Sequence, residues 1–159
     1  MLKKKKYLFF LIFLVFLIKG CGFQPMYSQN NIDTNFTVKD LSLEGDRAIN
    51  LFLESSLKRF SNLDYEKKYN IKIKSEYQKN IIAKDLSGSA TDYELVLITN
   101  LYFKRTDIIE SKSYQFTFSD SFVMKKQDDK YEETSYERLL KRSLADSAFE
   151  KIIFKLLKD

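Results

Sequence analysis

The chain opens with a charged block followed by an unbroken apolar run. Lys3 to Lys6 are consecutive lysines, and Tyr7 to Ile18 are twelve apolar residues in a row, closed by Lys19-Gly20-Cys21. A spanning helix takes roughly 18–20 apolar residues, so this run is too short to cross a bilayer comfortably and suits the core of an export signal. A short uncleaved anchor is the alternative reading of the same residues. From Gly22 to Asn35 the chain turns polar, holds the sole proline, Pro25, and keeps no period. That stretch reads as a tether.

Regular patterning begins at Phe36. Phe36 and Val38, then Leu41 and Leu43, alternate with polar residues and predict a strand over 36–43. Glu44-Gly45-Asp46 is a turn, with Asp46 placed to cap a helix. Ile49, Phe52, Leu53, Leu57 and Phe60 then recur at steps of three or four and predict a helix over 47–62. Lys58 and Arg59 complement the carboxyl end of its dipole, and Asn62 is a fitting stop.

Three strands follow. Tyr69, Ile71, Ile73 and Tyr77 alternate with Asn70, Lys72, Lys74 and Gln78, and Ile81-Ile82-Ala83 extends this strand past a bulge. Ser87-Gly88-Ser89 is a turn. Tyr93 to Phe103 is apolar on both faces, the mark of a central strand, and Lys104 to Asp107 turns the chain. Tyr114, Phe116, Phe118 and Phe122 alternate with Gln115, Thr117, Ser119 and Ser121, and only Asp120 breaks the aromatic face. After a charged loop over 125–130, Thr134-x-x-Glu137 predicts a capping box. The helix it opens carries a wide stripe: Leu140, Leu144, Ala148 and Ile152 beside Leu139, Phe149, Ile153 and Leu156.

The order β-α-β-β-β-α predicts a two-layer α+β sandwich. Its sheet is expected to have four mostly antiparallel strands, with both helices on one face. Residues 1–20 are assigned to the signal, 21–35 to the tether and 36–159 to a single domain.

Composition removes several function classes. The formal charge is +5, but residues 1–20 hold five lysines and no acid, so the chain from Cys21 carries 22 basic and 22 acidic residues. That balance argues against nucleic acid as a partner, since binding phosphate backbones needs a basic excess. There is no histidine, which excludes His-based triads and His-ligated metals. Asp128-Asp129 and Glu132-Glu133 lack the spaced ligands and glycine of a calcium loop and read as solvated charge. No catalytic or metal-binding residue is expected, and no cofactor. Lys104-Arg105 and Lys125-Lys126 could each touch a phosphate, but ordinary solvated turn residues account for both. No phosphate-binding residue is assigned. A lipid-anchored enzyme would need a Ser/Lys pair or a carboxylate pair such as Asp120 with Glu110, which nothing in the sequence brings together.

Cys21 is the only cysteine, so no intramolecular disulfide can form, and a bare thiol would be a liability in an oxidising compartment. Ile18-Lys19-Gly20-Cys21 resembles a lipobox, with Lys19 departing from its usual second position. The resemblance implies that Cys21 is acylated as the first residue of the mature protein. Two or more acyl chains hold stably where one binds marginally. Gly22, after the cysteine, points weakly toward the outer membrane.

Three stretches resemble the lipopolysaccharide-assembly lipoprotein family LptE, in its alphaproteobacterial form. Cys21-Gly22-Phe23-Gln24-Pro25-Met26-Tyr27 is similar to that family's CGF-x-P-[LM]-Y start. Ala90-Thr91-Asp92-Tyr93-Glu94-Leu95 is similar to its A-T-R-Y-x-L strand opening, with Asp92 where arginine is usual. Leu144-Ala145-Asp146-Ser147-Ala148 to Leu156 is similar to its closing helix. The resemblance implies a non-enzymatic, lipid-anchored protein on the periplasmic side of the outer membrane. Such a protein plugs and helps assemble the β-barrel translocon LptD and assists lipopolysaccharide delivery to the cell surface. An auxiliary lipoprotein subunit of an envelope lipid transporter is the alternative.

Overall fold

A computed structural model describes residues 35–158, which fall within one compact unit, Thr34–Asp159. The signal segment, Cys21 and the tether to residue 34 lie outside the described residues. Strand β1 (Phe36–Gly45) leads to helix α1 (Arg47–Leu57) and a single 3-10 turn (Lys58–Phe60). Strands β2 (Lys67–Lys84), β3 (Ala90–Arg105) and β4 (Ser113–Lys125) follow, and helix α2 (Lys130–Lys158) closes the chain. The α+β class and the order β-α-β-β-β-α stand as expected.

The sheet runs β1-β2-β3-β4 and is mixed. β2, β3 and β4 form an antiparallel meander, whereas β1 lies parallel to β2. A helical crossover between β1 and β2 is what permits that parallel pairing. The break in β1's alternation, from Phe36 and Val38 to Leu41 and Leu43, has a structural cause. The register with β2 slips between Val38 and Asp40, so Lys39 is the extra residue of a bulge and the apolar side chains return to the same face. Leu41 and Leu43 are half-buried there.

Both helices pack on one face of the sheet. The core they close takes Ile49, Leu53 and Leu57 from α1, and Leu144, Ala148, Ile152 and Leu156 from α2. The strands supply Phe36, Tyr69, Ile71, Ile73, Leu95, Leu97, Leu101 and Phe103. Aromatic rings chain across the layer: Phe60 to Phe36 at 5.3 Å, Phe36 to Tyr69 at 5.8 Å and Tyr69 to Phe103 at 5.6 Å between centroids. Tilted and edge-on contacts of this kind add to the gain from burial.

Several expectations need correction. α1 ends at Leu57 and tightens into the 3-10 turn, short of Asn62. Helix α2 begins at Lys130, not at Thr134. Asp129 Oδ1 accepts from the backbone N–H of Tyr131 (2.7 Å) and Glu132 (3.0 Å), which places the cap five residues before Thr134. Thr134 instead donates its hydroxyl to the Lys130 carbonyl one turn back. Leu139 is exposed, so the buried stripe is narrower than its apolar positions suggest. Phe116 and Phe118 face the core but are only half-buried, and Phe122 is exposed, because β4 is an edge strand with no neighbour beyond it.

Candidate functional site

The helices cover one face of the sheet and leave the other open. Strand parity decides what that open face carries. β2 presents Asn70, Lys72, Lys74 and Glu76, all exposed, and β4 presents Gln115, Thr117, Ser119 and Ser121, also exposed. Between them β3 contributes Tyr102, Asn100, Ile98 and Val96, aligned opposite Gln115, Thr117, Ser119 and Ser121 in turn. The result is a polar surface with a short apolar strip at Val96 and Ile98 along its centre.

Cross-strand bonds order these groups. Thr117 Oγ1 lies 2.7 Å from Asn100 Oδ1, and the Gln115 amide donates to the Tyr102 hydroxyl at 3.3 Å. Lys72 pairs with Glu44 at 2.7 Å, and its hydrogen bond holds the Glu44 carboxyl below the usual carboxylate range. A shallow cavity of about 470 Å³ opens at one end of this face, lined by Asp40, Ser42, Lys72, Tyr102, Lys104 and Gln115 among others. Hydroxyls, amides and balanced charges of this kind can hydrogen-bond a polar wall. The cavity at the end of this face is more apolar, with Ile71, Phe103 and Tyr114 also in its lining.

The structure also places the residues weighed for chemistry. Glu110 lies in the loop before β4, while Asp120 stands mid-strand opposite Leu97, so the two carboxylates do not meet. Asp120 faces the helices, where Lys151 Nζ and the Ser147 hydroxyl (3.1 Å) both bind its Oδ1. Serine and lysine both serve to hold that carboxylate, which ties β4 to α2. Asp129 is spent on the α2 cap, and Glu133 pairs with Lys79. Among the described residues no cluster of acidic side chains could hold a metal. Arg105 pairs with Asp107, and Lys104 stays exposed beside the open-face cavity. Lys125 and Lys126 are exposed at the far end of the sheet. No helix of the described residues is long and apolar enough to cross a membrane.

One polar cluster escaped the sequence reading. Tyr77 and Lys79 stand on the core-facing parity of β2, where alternation ordinarily puts apolar side chains. Tyr77 donates to Glu137 Oε1 at 2.8 Å, and Lys79 reaches Glu137 Oε2 at 2.8 Å and Glu133 Oε1 at 3.1 Å. Lys141 joins them, 3.2 Å from Asp46, the α1 cap. The available signal was the lysine's parity: odd positions from Tyr69 to Tyr77 face inward, so Lys79 does too.

No protein-family profile and no curated protein matches the chain. Solved structures do. Rare lipoprotein B from Shewanella oneidensis superposes with a TM-score of 0.57 at 11% identity, covering 75% of this chain and 94% of that one. A minor lipoprotein from Acinetobacter baumannii gives 0.43 at 17% identity, with 74% and 94% covered. Uncharacterized lipoprotein B from Nitrosomonas europaea gives 0.44 at 14%, with 75% and 83% covered. The chain shares its fold with the Shewanella oneidensis lipoprotein.

Proposed function

We propose that this chain is an outer-membrane lipoprotein, anchored through lipid on Cys21 at the periplasmic side, that plugs and helps assemble an LptD-type β-barrel translocon. In that role it assists lipopolysaccharide delivery to the cell surface and performs no catalysis of its own. The observation that carries the reading is the uncovered sheet face. Thr117, Ser119 and Ser121 on β4 and Lys72 and Lys74 on β2 make one side of the sheet mostly polar, apart from Val96, Ile98 and Val123, and no helix of the described residues covers it. Outer-membrane barrel lumens are polar and often plugged, so a plug needs such a surface. Antiparallel strands commonly leave one face to water as well, and the choice between water and a lumen is tipped by the sequence resemblance to LptE. A fold shared with a solved lipoprotein, and the lipobox-like residues before Cys21, agree with it. Equal numbers of acidic and basic residues from Cys21 onward avoid strong repulsion in a lumen lined by either sign.

Photo-crosslinkers placed in cells at Thr117 and Ser119 test the reading. Adducts with one large barrel protein are the expected result. Strong adducts from the helix side and none from these positions would reverse the orientation. Copurification with a transporter permease, in place of a barrel, would favour the auxiliary-subunit alternative.

A further inference from the structure

Phe36 at the start of β1, Lys67 at the start of β2, Arg105 at the end of β3 and Ser113 at the start of β4 all lie at one end of the sheet. The β3–β4 loop, 106–112, closes that end. At its tip Ile109 is fully exposed and Ile108 is 45% exposed. The bonds of the loop hold its two flanks. The Thr106 backbone N–H donates to the Lys68 carbonyl at 2.7 Å, and Lys68 N–H donates to Asp107 Oδ1 at 3.2 Å. Arg105 pairs with Asp107, and the Ser111 hydroxyl binds the Arg105 carbonyl. Both flanks of the loop are therefore pinned to strand ends, with Ile109 wholly exposed and Ile108 partly exposed between them.

We infer that this end of the domain rests on the bilayer that carries the lipid anchor, with Ile108 and Ile109 entering the boundary between headgroups and acyl chains. The inference rests on the lipid-anchor reading above and concerns the anchored protein before it enters a barrel. The chain itself indicates the occupant. From Cys21 to Asn35 there are fifteen residues, which reach at most about 50 Å when fully extended. They join the domain at Phe36, on the same end as the isoleucines. The other exposed aliphatic tip, Leu86 in the β2–β3 hairpin, lies at the opposite end of strands sixteen and eighteen residues long, roughly 50 Å away. The anchor thus holds the Ile109 end near the membrane at high effective concentration, where a small apolar patch suffices for contact. Exposed Lys104 and Lys112 flank the loop, and half-buried Lys67 and Lys68 start β2 at the same end, against exposed Asp64, Glu66 and Glu110. The isoleucines supply the apolar contact, and this small basic excess adds an attraction to anionic lipid that salt screens.

The chain contains no tryptophan, so one substitution gives an unambiguous probe. Ile109→Trp and Leu86→Trp are made in the full-length protein, which is expressed with its lipid and reconstituted into phosphatidylethanolamine–phosphatidylglycerol vesicles with or without brominated acyl chains. Both positions are fully exposed, so neither change disturbs packing. The expected result is blue-shifted emission and roughly two-fold bromine quenching for Ile109→Trp, as for a side chain about 5–10 Å into the boundary. Leu86→Trp should stay unquenched. If the protein floats with the vesicles but Ile109→Trp is no more quenched than Leu86→Trp, the bilayer contact is wrong and the anchor stands. If the protein does not float, the anchor reading fails and the contact falls with it.

Discussion

Lys151 of α2 binds Asp120, the one carboxylate on the core-facing side of β4. Asp120 Oδ2 is buried with no hydrogen-bond partner among the described residues, so that carboxylate depends on what reaches its other oxygen. Removing the partner strands a charge, whereas replacing both with apolar groups does not. Lys151 keeps 40% of its side-chain surface exposed, which moderates the loss. Lys151→Ala should cost about 1–3 kcal/mol in urea unfolding, and the pair Asp120→Leu with Lys151→Leu should be neutral or stabilising. A double variant as weak as the single one would contradict this account.

The cluster around Tyr77 sets a pH window. Burial alone would raise the Glu137 carboxyl, but hydrogen bonds from Lys79 and Tyr77 outweigh it and hold the group below its ordinary 4.5. Burial likewise pulls Lys79 down, and its bonds to Glu137 and Glu133 prevail, leaving it above 10.5. The depressed carboxylate contributes stability that is complete above pH 4.5 and lost as pH falls through its folded value. Lys79 contributes stability that is complete below pH 10.5 and lost as pH rises through its folded value. Asp107, held at about 2 by Arg105 against an ordinary 3.8, adds a second acid step. Tyr77, pushed above its ordinary 10.0 by burial and by its bond to Glu137, adds a loss that starts at pH 10, so stability should be level between about pH 4.5 and 10. Glu137→Gln should lower it at neutral pH and flatten the decline below pH 4.5, as measured by urea unfolding at a series of pH values.

Alternation reached most of the fold because the sheet has one dry and one wet face. The inward apolar residues of β3, Tyr93, Leu95, Leu97, Leu101 and Phe103, were legible, though not the buried Thr99 among them, and the aromatic run of β4 pointed the right way. Legibility failed where burial is not local. Nothing in the period of β4 says that no strand lies beyond it, so the partial exposure of Phe116 and Phe122 could not be read. Lys79 looked like the end of an alternation because its neutralising partners, Glu133 and Glu137, lie more than fifty residues away in sequence. The open face was visible as a list of polar residues, but only the topology showed that both helices leave it bare.

Gly45 lies close against the backbone of Ser75. Its φ is +108°, and a Cβ built there would lie 1.7 Å from the Ser75 carbonyl oxygen, far inside contact distance. The same carbonyl accepts from Asp46 N–H at 3.3 Å, so the backbone cannot retreat without loosening the turn that starts α1. Gly45→Ala combines a disfavoured conformation with a backbone clash and should cost about 3 kcal/mol or more. Gly88, at φ +85° in the hairpin turn, has open space around it. Gly88→Ala should cost only about 1 kcal/mol, from conformation alone. Equal losses at both sites would mean that the close approach at Ser75 is absent in solution.

The start of α2 separates two residues that look equivalent in sequence. Asp129 and Thr134 each precede a glutamate by three positions, at Glu132 and Glu137, so either could open a capping box. Only Asp129 accepts from first-turn amides, while the Thr134 hydroxyl is spent on the carbonyl of Lys130, inside the helix. Glu137 faces Tyr77 and Lys79 across the layer and is unavailable for a reciprocal bond. Asp129→Ala should therefore cost about 1 kcal/mol and raise amide exchange across the first turn, from Tyr131 to Thr134. Thr134→Ala removes an interior hydroxyl from a helix and adds a better helix former, so it should change stability by less than about 0.5 kcal/mol, in the favourable direction. Hydrogen exchange is the sharper measurement, because a helix that began at Thr134 would leave the amides of residues 131–133 unprotected in the unaltered protein, and the Asp129 substitution would then change nothing.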